Sequence, residues 1–96
     1  MQIKIGYKTF DVIYKSEVLL DEVPVDGYID FENNKIYISK SNLPDKQNQI
    51  LLHEIFHGIT DIFNIILTEK QTDALATGFL TVIHDNKSIM KKIFKE

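Results

Sequence analysis

The sequence predicts a small α+β domain in which a β-region comes first and helices follow. Three observations predict it. Up to about residue 40 the apolar residues are Ile, Val, Tyr and Phe in partly alternating runs separated by turn residues. Beyond that point apolar residues recur at three- and four-residue spacing, as on a helix. The chain has 96 residues, 44% hydrophobic and 26% charged, enough for one ordinary core and a single domain spanning residues 1–96.

Ile3 to Tyr14 reads as a strand, or a bent pair of strands around Gly6. Val18 to Val25 is ambiguous: Leu19-Leu20 could open a short helix or cover the core as a loop, and Pro24 limits either. Tyr28 to Glu32 and Lys35 to Ser39 flank Asn33-Asn34. Asparagine tolerates the positive φ of a tight turn, so an antiparallel hairpin is expected here. Ser41 to Asp45 offers turn and helix-start chemistry, and a helix is expected from about Asp45 to Phe63. After a short loop from Asn64 to Leu67, Thr68 and Gln71 have the spacing of a capping box. The second long helix they open should bury Leu75, Phe79, Leu80, Val82 and Ile83 and end near His84-Asp85-Asn86. Ser88 is expected to cap a last short helix to Phe94 that packs on the core.

Composition narrows the function classes. There are no cysteines, which excludes disulfides and thiolate metal sites and fits a reducing cytoplasm, the expected location. No apolar run reaches the ~18 residues of a membrane span, and the N-terminus has no signal-peptide pattern, so no membrane partner is expected. A net charge of -3 argues against nucleic acid as the main partner.

Leu51-Leu52-His53-Glu54-Ile55-Phe56-His57-Gly58-Ile59 carries the chemistry. On a helix, imidazoles four residues apart project from one face about a turn apart and can share a zinc ion. A carboxylate beside the first ligand can take a proton from water that the metal activates. A helical wheel gathers Leu51, Leu52, Ile55, Phe56, Ile59, Ile62 and Phe63 on an apolar arc, with His53, Glu54, His57 and Asp61 opposite.

Catalytic zinc sites take three protein ligands as a rule. Asp61, Glu69, Asp73 and His84 are the candidates for the third. If the second helix ran straight back from Phe63, Asp73 would lie nearer His57 than Glu69 by about one turn, ~5 Å. If Asn64 to Leu67 extends back along the first helix, up to ~13 Å for four residues, Glu69 reaches the metal instead. Both arrangements are sterically allowed. Asp61 could orient an imidazole or be a solvated charge, and His84 suits a helix C-terminus. Tyr28 and Tyr37 could offer a phenol to an oxyanion or pack across the hairpin, and Gly58 could admit a close backbone neighbour.

The pair of motifs, His53-Glu54-x-x-His57 followed by Glu69-x-x-x-Asp73, resembles the gluzincin peptidases. In that family a glutamate on the next helix binds zinc, and the acid one turn later supports a ligand histidine. The resemblance implies a zincin-like domain holding Zn²⁺ through His53, His57 and Glu69, with Asp73 behind a ligand and Glu54 as general base. More narrowly the layout is similar to the ImmA/IrrE-type metallopeptidases and their small phage and prophage relatives, over roughly residues 28 to 86. Their Leu-Leu-x-Pro segment is replaced here by Ile83-His84-Asp85-Asn86. The expected function is a zinc metallopeptidase acting on a peptide or protein. The alternative is a zincin-fold binding module without turnover.

Overall fold

The computed structural model describes residues 1–95. Its element order is β1 (Gln2–Ile5), β2 (Lys8–Lys15), β3 (Val18–Leu20), β4 (Val23–Val25), β5 (Gly27–Asp30), β6 (Lys35–Ser39), α1 (Pro44–Ile62), α2 (Glu69–Asp85) and α3 (Lys87–Ile93). The α+β arrangement expected from the sequence, sheet first and three helices after, is present.

Gly6, at φ +59°, turns β1 into β2, as the bent pair requires. β3 and β4 form a separate two-stranded hairpin. Asp21 and Glu22 both sit at positive φ between Leu20 and its partner Val23, which is the backbone of a two-residue type I′ turn. This settles the ambiguous stretch as neither helix nor covering loop. The strand-forming Val18, Leu19, Val23 and Val25 outweigh the short Leu-Leu helix signal, and Pro24 is tolerated in so short a ribbon.

The main sheet has the order β1-β2-β6-β5. It is not purely antiparallel, because β2 and β6 at its centre run parallel, with Val12 opposite Ile36 and Tyr14 opposite Ile38. A parallel pair needs a long crossover, and the segment holding β3, β4 and β5 supplies it. The expected β5–β6 hairpin forms, but its loop is the four residues from Phe31 to Asn34 rather than Asn33-Asn34 alone. Asp30 closes that loop by accepting from the Glu32 and Asn33 backbone N–H groups and the Asn33 side chain. Only Asn34 takes the positive φ.

One face of the sheet presents Ile5, Phe10, Val12, Ile36 and Ile38 to α1, which contributes Ile50 to the same buried core. α1 lies close because Gly58 has no side chain: an added Cβ would come 2.6 Å from Ile5 Cδ1. The most buried line of α1 is Ile50, Glu54 and Gly58. Glu54 therefore departs from the face expected for it opposite the apolar arc. It faces the sheet, while His53 and His57 turn toward α2. Asp61 is exposed.

α1 starts on Pro44 without a side-chain cap and ends in a Schellman-type closure, with Asn64 left-handed and the Ile65 N–H bonded to the Thr60 carbonyl at 2.9 Å. The capping box of Thr68 and Gln71 is present in both directions. α2 runs antiparallel to α1, as the successive pairs Gln49–Thr77, His53–Asp73 and His57–Glu69 show. The residues it buries are Thr72 and Ala76, not the larger set expected. Leu75, Phe79 and Val82 remain 48%, 41% and 48% exposed, and Phe79 meets Phe56 edge-on. Small side chains at the crossing let the two helices approach, leaving the larger ones to flank the contact. α3 is capped by Asn86 without a side-chain bond, so Ser88 lies inside it and not at its start. α3 buries no residue; it extends from α2 and does not pack on the core as expected.

Two outcomes follow for stability. An added Cβ at Gly78, inside α2, meets no atom within 4 Å. Gly78→Ala should therefore stabilise the protein by about 0.5–1 kcal/mol in chemical denaturation, the helical cost of glycine. The bonds from Asn33 hold the Asp30 carboxyl below its ordinary value of 3.8. A depressed carboxylate stabilises the fold above its unfolded value, and this is lost as pH falls through the lower folded value. The melting-temperature gap between the wild type and Asp30→Ala, present at pH 7, should therefore close on acidification below 3.8.

Candidate metal centre

Three side chains from two successive helices converge between α1 and α2. His53 and His57, one turn apart on α1, stand with their rings edge-on at 69° and their centroids 4.7 Å apart. Their Nε2 atoms are 3.0 Å apart. Glu69, the first residue of α2, places Oε1 2.6 Å from His53 Nε2 and Oε2 3.1 Å from His57 Nε2. One ligand atom from each of the three lies within 4.8 Å of the others.

The donor set fits a metal ion. Both ring nitrogens of His53 face carboxylates: Nδ1 lies 3.3 Å from Asp73 Oδ1 and Nε2 lies 2.6 Å from Glu69 Oε1. With a cation at Nε2, the His53 proton would sit on Nδ1 and be donated to Asp73. His57 Nε2 points to the same place as His53 Nε2. A single proton bridges two of these atoms, whereas a divalent ion joins all three. Around a tetrahedral zinc with bonds of ~2.0–2.1 Å, ligand atoms stand roughly 3.3 Å apart. The separations here are 2.6, 3.0 and 3.4 Å, so the imidazole of His53 and the Glu69 carboxylate would part slightly to admit the ion.

The segment between the helices selects the carboxylate. Asn64 turns the chain out of α1, and residues 65–67 carry it on to Thr68, whose capping box fixes the first turn of α2. Glu69 thus reaches both imidazoles. Asp73, one turn on, touches only the far nitrogen of His53. The histidine side chains are sheltered, 14% and 28% exposed, while Glu69 is 73% exposed and reaches in from the solvent side. Burial pushes the Glu69 carboxyl up, but the hydrogen bonds and charges of His53 and His57 outweigh it and hold the group below the ordinary glutamate value.

Glu54 is 7% exposed and borders the cleft in front of His53. Burial raises its pKa; the two histidines pull it down and Glu69 pushes it up, with a net rise. The carboxyl beside the candidate ligands is therefore more basic than a surface glutamate.

The other sequence candidates lie apart from this centre. Asp61 lines a second cleft on the far side of His57 and has no bond to either imidazole. His84 is 79% exposed, pairs with Asp85 and lies near Asp45 and Asn48. That is eleven residues, ~16 Å of helix, beyond Asp73. Tyr28 and Tyr37 stack at 4.9 Å, and Lys15 lies over the Tyr37 ring. They occupy the sheet face turned away from α1, since their neighbours Ile29, Ile36 and Ile38 face the helix. Neither can serve an oxyanion at the metal. Sequence reasoning missed Lys46, Gln49, Asp26 and Gly27, which line the cleft of about 190 Å³ in front of His53. Lys46, Gln49 and His53 share one α1 face at helical spacing, a legible signal. Asp26 and Gly27 arrive through strand pairing and carry none.

The cluster is expected to bind one equivalent of a divalent cation, with zinc as the probe. His53→Ala and His57→Ala should each abolish binding in a metal-content assay after chelation and reloading. Asp73→Ala should retain binding but weaken it by about 10–100-fold, the effect of losing the partner that orients a ligand.

No family model, curated protein or solved structure matches the chain. The likeness to gluzincins therefore stands on the two motifs and on the convergence of His53, His57 and Glu69.

Proposed function

We propose that the protein is a minimal zinc-dependent peptidase. The observation that carries this reading is the meeting of two imidazoles and a carboxylate beside a buried glutamate. In this reading His53, His57 and Glu69 hold the metal, and Asp73 fixes His53 in the tautomer that leaves Nε2 free. A zinc ion held there would supply Lewis acidity, acidifying a water and polarising the peptide carbonyl. Glu54 would accept the proton of the attacking water as its oxygen bonds to the carbonyl carbon. The C–N bond then breaks, and Glu54 passes the proton to the departing amine, so one water is consumed per bond cleaved.

β5 supports a peptide as the substrate. It is an edge of the main sheet, and its first residue, Gly27, lines the cleft that holds His53, Glu54 and Glu69. The Ser39 N–H bonds to the Asp26 carbonyl, so in the alternating antiparallel ladder residues 26, 28 and 30 are bonded to β6. The backbone groups of Gly27 and Ile29 consequently point outward from the sheet. An extended peptide can bond to them as an added strand and cross in front of the metal ligands.

Glu54→Gln removes the base while leaving every ligand in place. It should bind zinc in the same stoichiometry as the wild type and cleave peptides more slowly by about 10²–10⁴-fold, as followed by mass spectrometry of a peptide mixture. Hydrolysis that survives this substitution undiminished rules the reading out.

A further inference from the structure

Beyond the metal, the connection between α1 and α2 has an unusual surface. Ile66 is 96% exposed and Ile65 48% exposed. They are not on a loose loop. Asn64 at φ 56°, the bond from Ile65 N–H to the Thr60 carbonyl and the capping box at Thr68 pin the segment at both ends. These side chains, together with Leu67 and Phe31, wall a cleft of about 510 Å³ whose lining also includes His57, Thr60, Asp61 and Asn64. That volume lies in the range of small-ligand sites, about 300–1,000 Å³. Large apolar side chains held in water next to a metal ligand mark a surface that something apolar covers.

The position of this cleft says what covers it. Along α1 the cleft with Lys46 and Gln49 lies before the histidines, and the cleft walled by Ile65 and Ile66 lies after them. β5 runs the same way, because Gly27 packs on Ile50 and Ile29 on Gly58. Gly27 borders the first cleft, and Phe31, just past the end of β5, borders the second. A strand laid along the outer edge of β5 therefore passes from one cleft to the other across the metal ligands. Antiparallel pairing is the commoner and slightly stronger form, and it places the N-terminal part of the peptide at Phe31.

We infer that the substrate is an extended peptide with a large apolar side chain on the N-terminal side of the bond to be cleaved, seated against Ile65, Ile66 and Phe31. This inference rests on the peptidase reading and adds the substrate class to it. Ile66 is the specificity residue. It makes no part of the core, so it can be changed without loss of the fold.

The test uses zinc-loaded full-length protein and a mixed peptide library, with cleavage sites read by mass spectrometry. Leu, Ile, Phe or Met should be enriched within two residues N-terminal to the cleaved bond. Ile66→Asp should lower kcat/KM at least 10-fold on an apolar peptide and less than 3-fold on its alanine-substituted counterpart, whereas Ile66→Leu should restore the preference. Binding gives a readout independent of turnover: in isotope-labelled Glu54→Gln protein, the apolar peptide should shift the amide resonances of Ile65, Ile66 and Ile29. Cleavage that depends on Glu54 but shows no apolar enrichment, or equal effects of Ile66→Asp on both peptides, overturns the inference and leaves the peptidase reading intact. Absence of any cleavage by the wild type removes both. A wild-type dimer that Ile66→Asp converts to monomer would assign the surface to a second copy of the chain, and the inference would fall.

Discussion

The structure around α1 and α2 turns on three ligating atoms aimed at one point. His53, His57 and Glu69 bring two ring nitrogens and a carboxylate oxygen to within hydrogen-bonding distance of one another. Such a cluster has the composition and spacing to take up a cation. The positions of both helices, the length of their connection and the small side chains at their crossing can be read as conditions for this meeting.

The sheet contributes by placement. Gly58 lets α1 settle against Ile5 and Ile29, and this turns Glu54 inward and rotates the two imidazoles toward α2. A bulkier residue there would lift the helix and move Glu54 and both histidines together. The same approach sets the edge of β5 beside them, so one close contact aligns the sheet, the buried carboxyl and the histidine face.

Much of this was legible from residues. The His53-Glu54-x-x-His57 spacing and the Thr68–Gln71 capping box depend on contacts within one or two turns, and local patterns report such contacts well. The choice between Glu69 and Asp73 was not legible from spacing, because it depends on how residues 64–67 leave α1. The left-handed Asn64 decides it. The parallel pairing of β2 with β6 was equally hidden, since register between distant strands leaves no local trace. A helical wheel groups Glu54 with the histidines because it knows one apolar side, whereas α1 is covered on two: by the sheet at Ile50, Glu54 and Gly58, and by α2 beyond the histidines. The apolar residues of α2 and α3 misled for the opposite reason. Their periodicity is real, but Thr72 and Ala76 make the buried contact.

That slender contact gives the cluster of His53, His57 and Glu69 a second significance. With only Thr72 and Ala76 buried, α2 is held to the rest of the protein by a small interface, to which Phe79 adds an edge contact with Phe56 and α3 adds nothing. A cation shared between His53, His57 and Glu69 would act as a rivet across the helix pair and carry much of the work a larger interface would do. Attachment of the C-terminal third of the chain would then follow metal occupancy, while the sheet and α1 keep their own core.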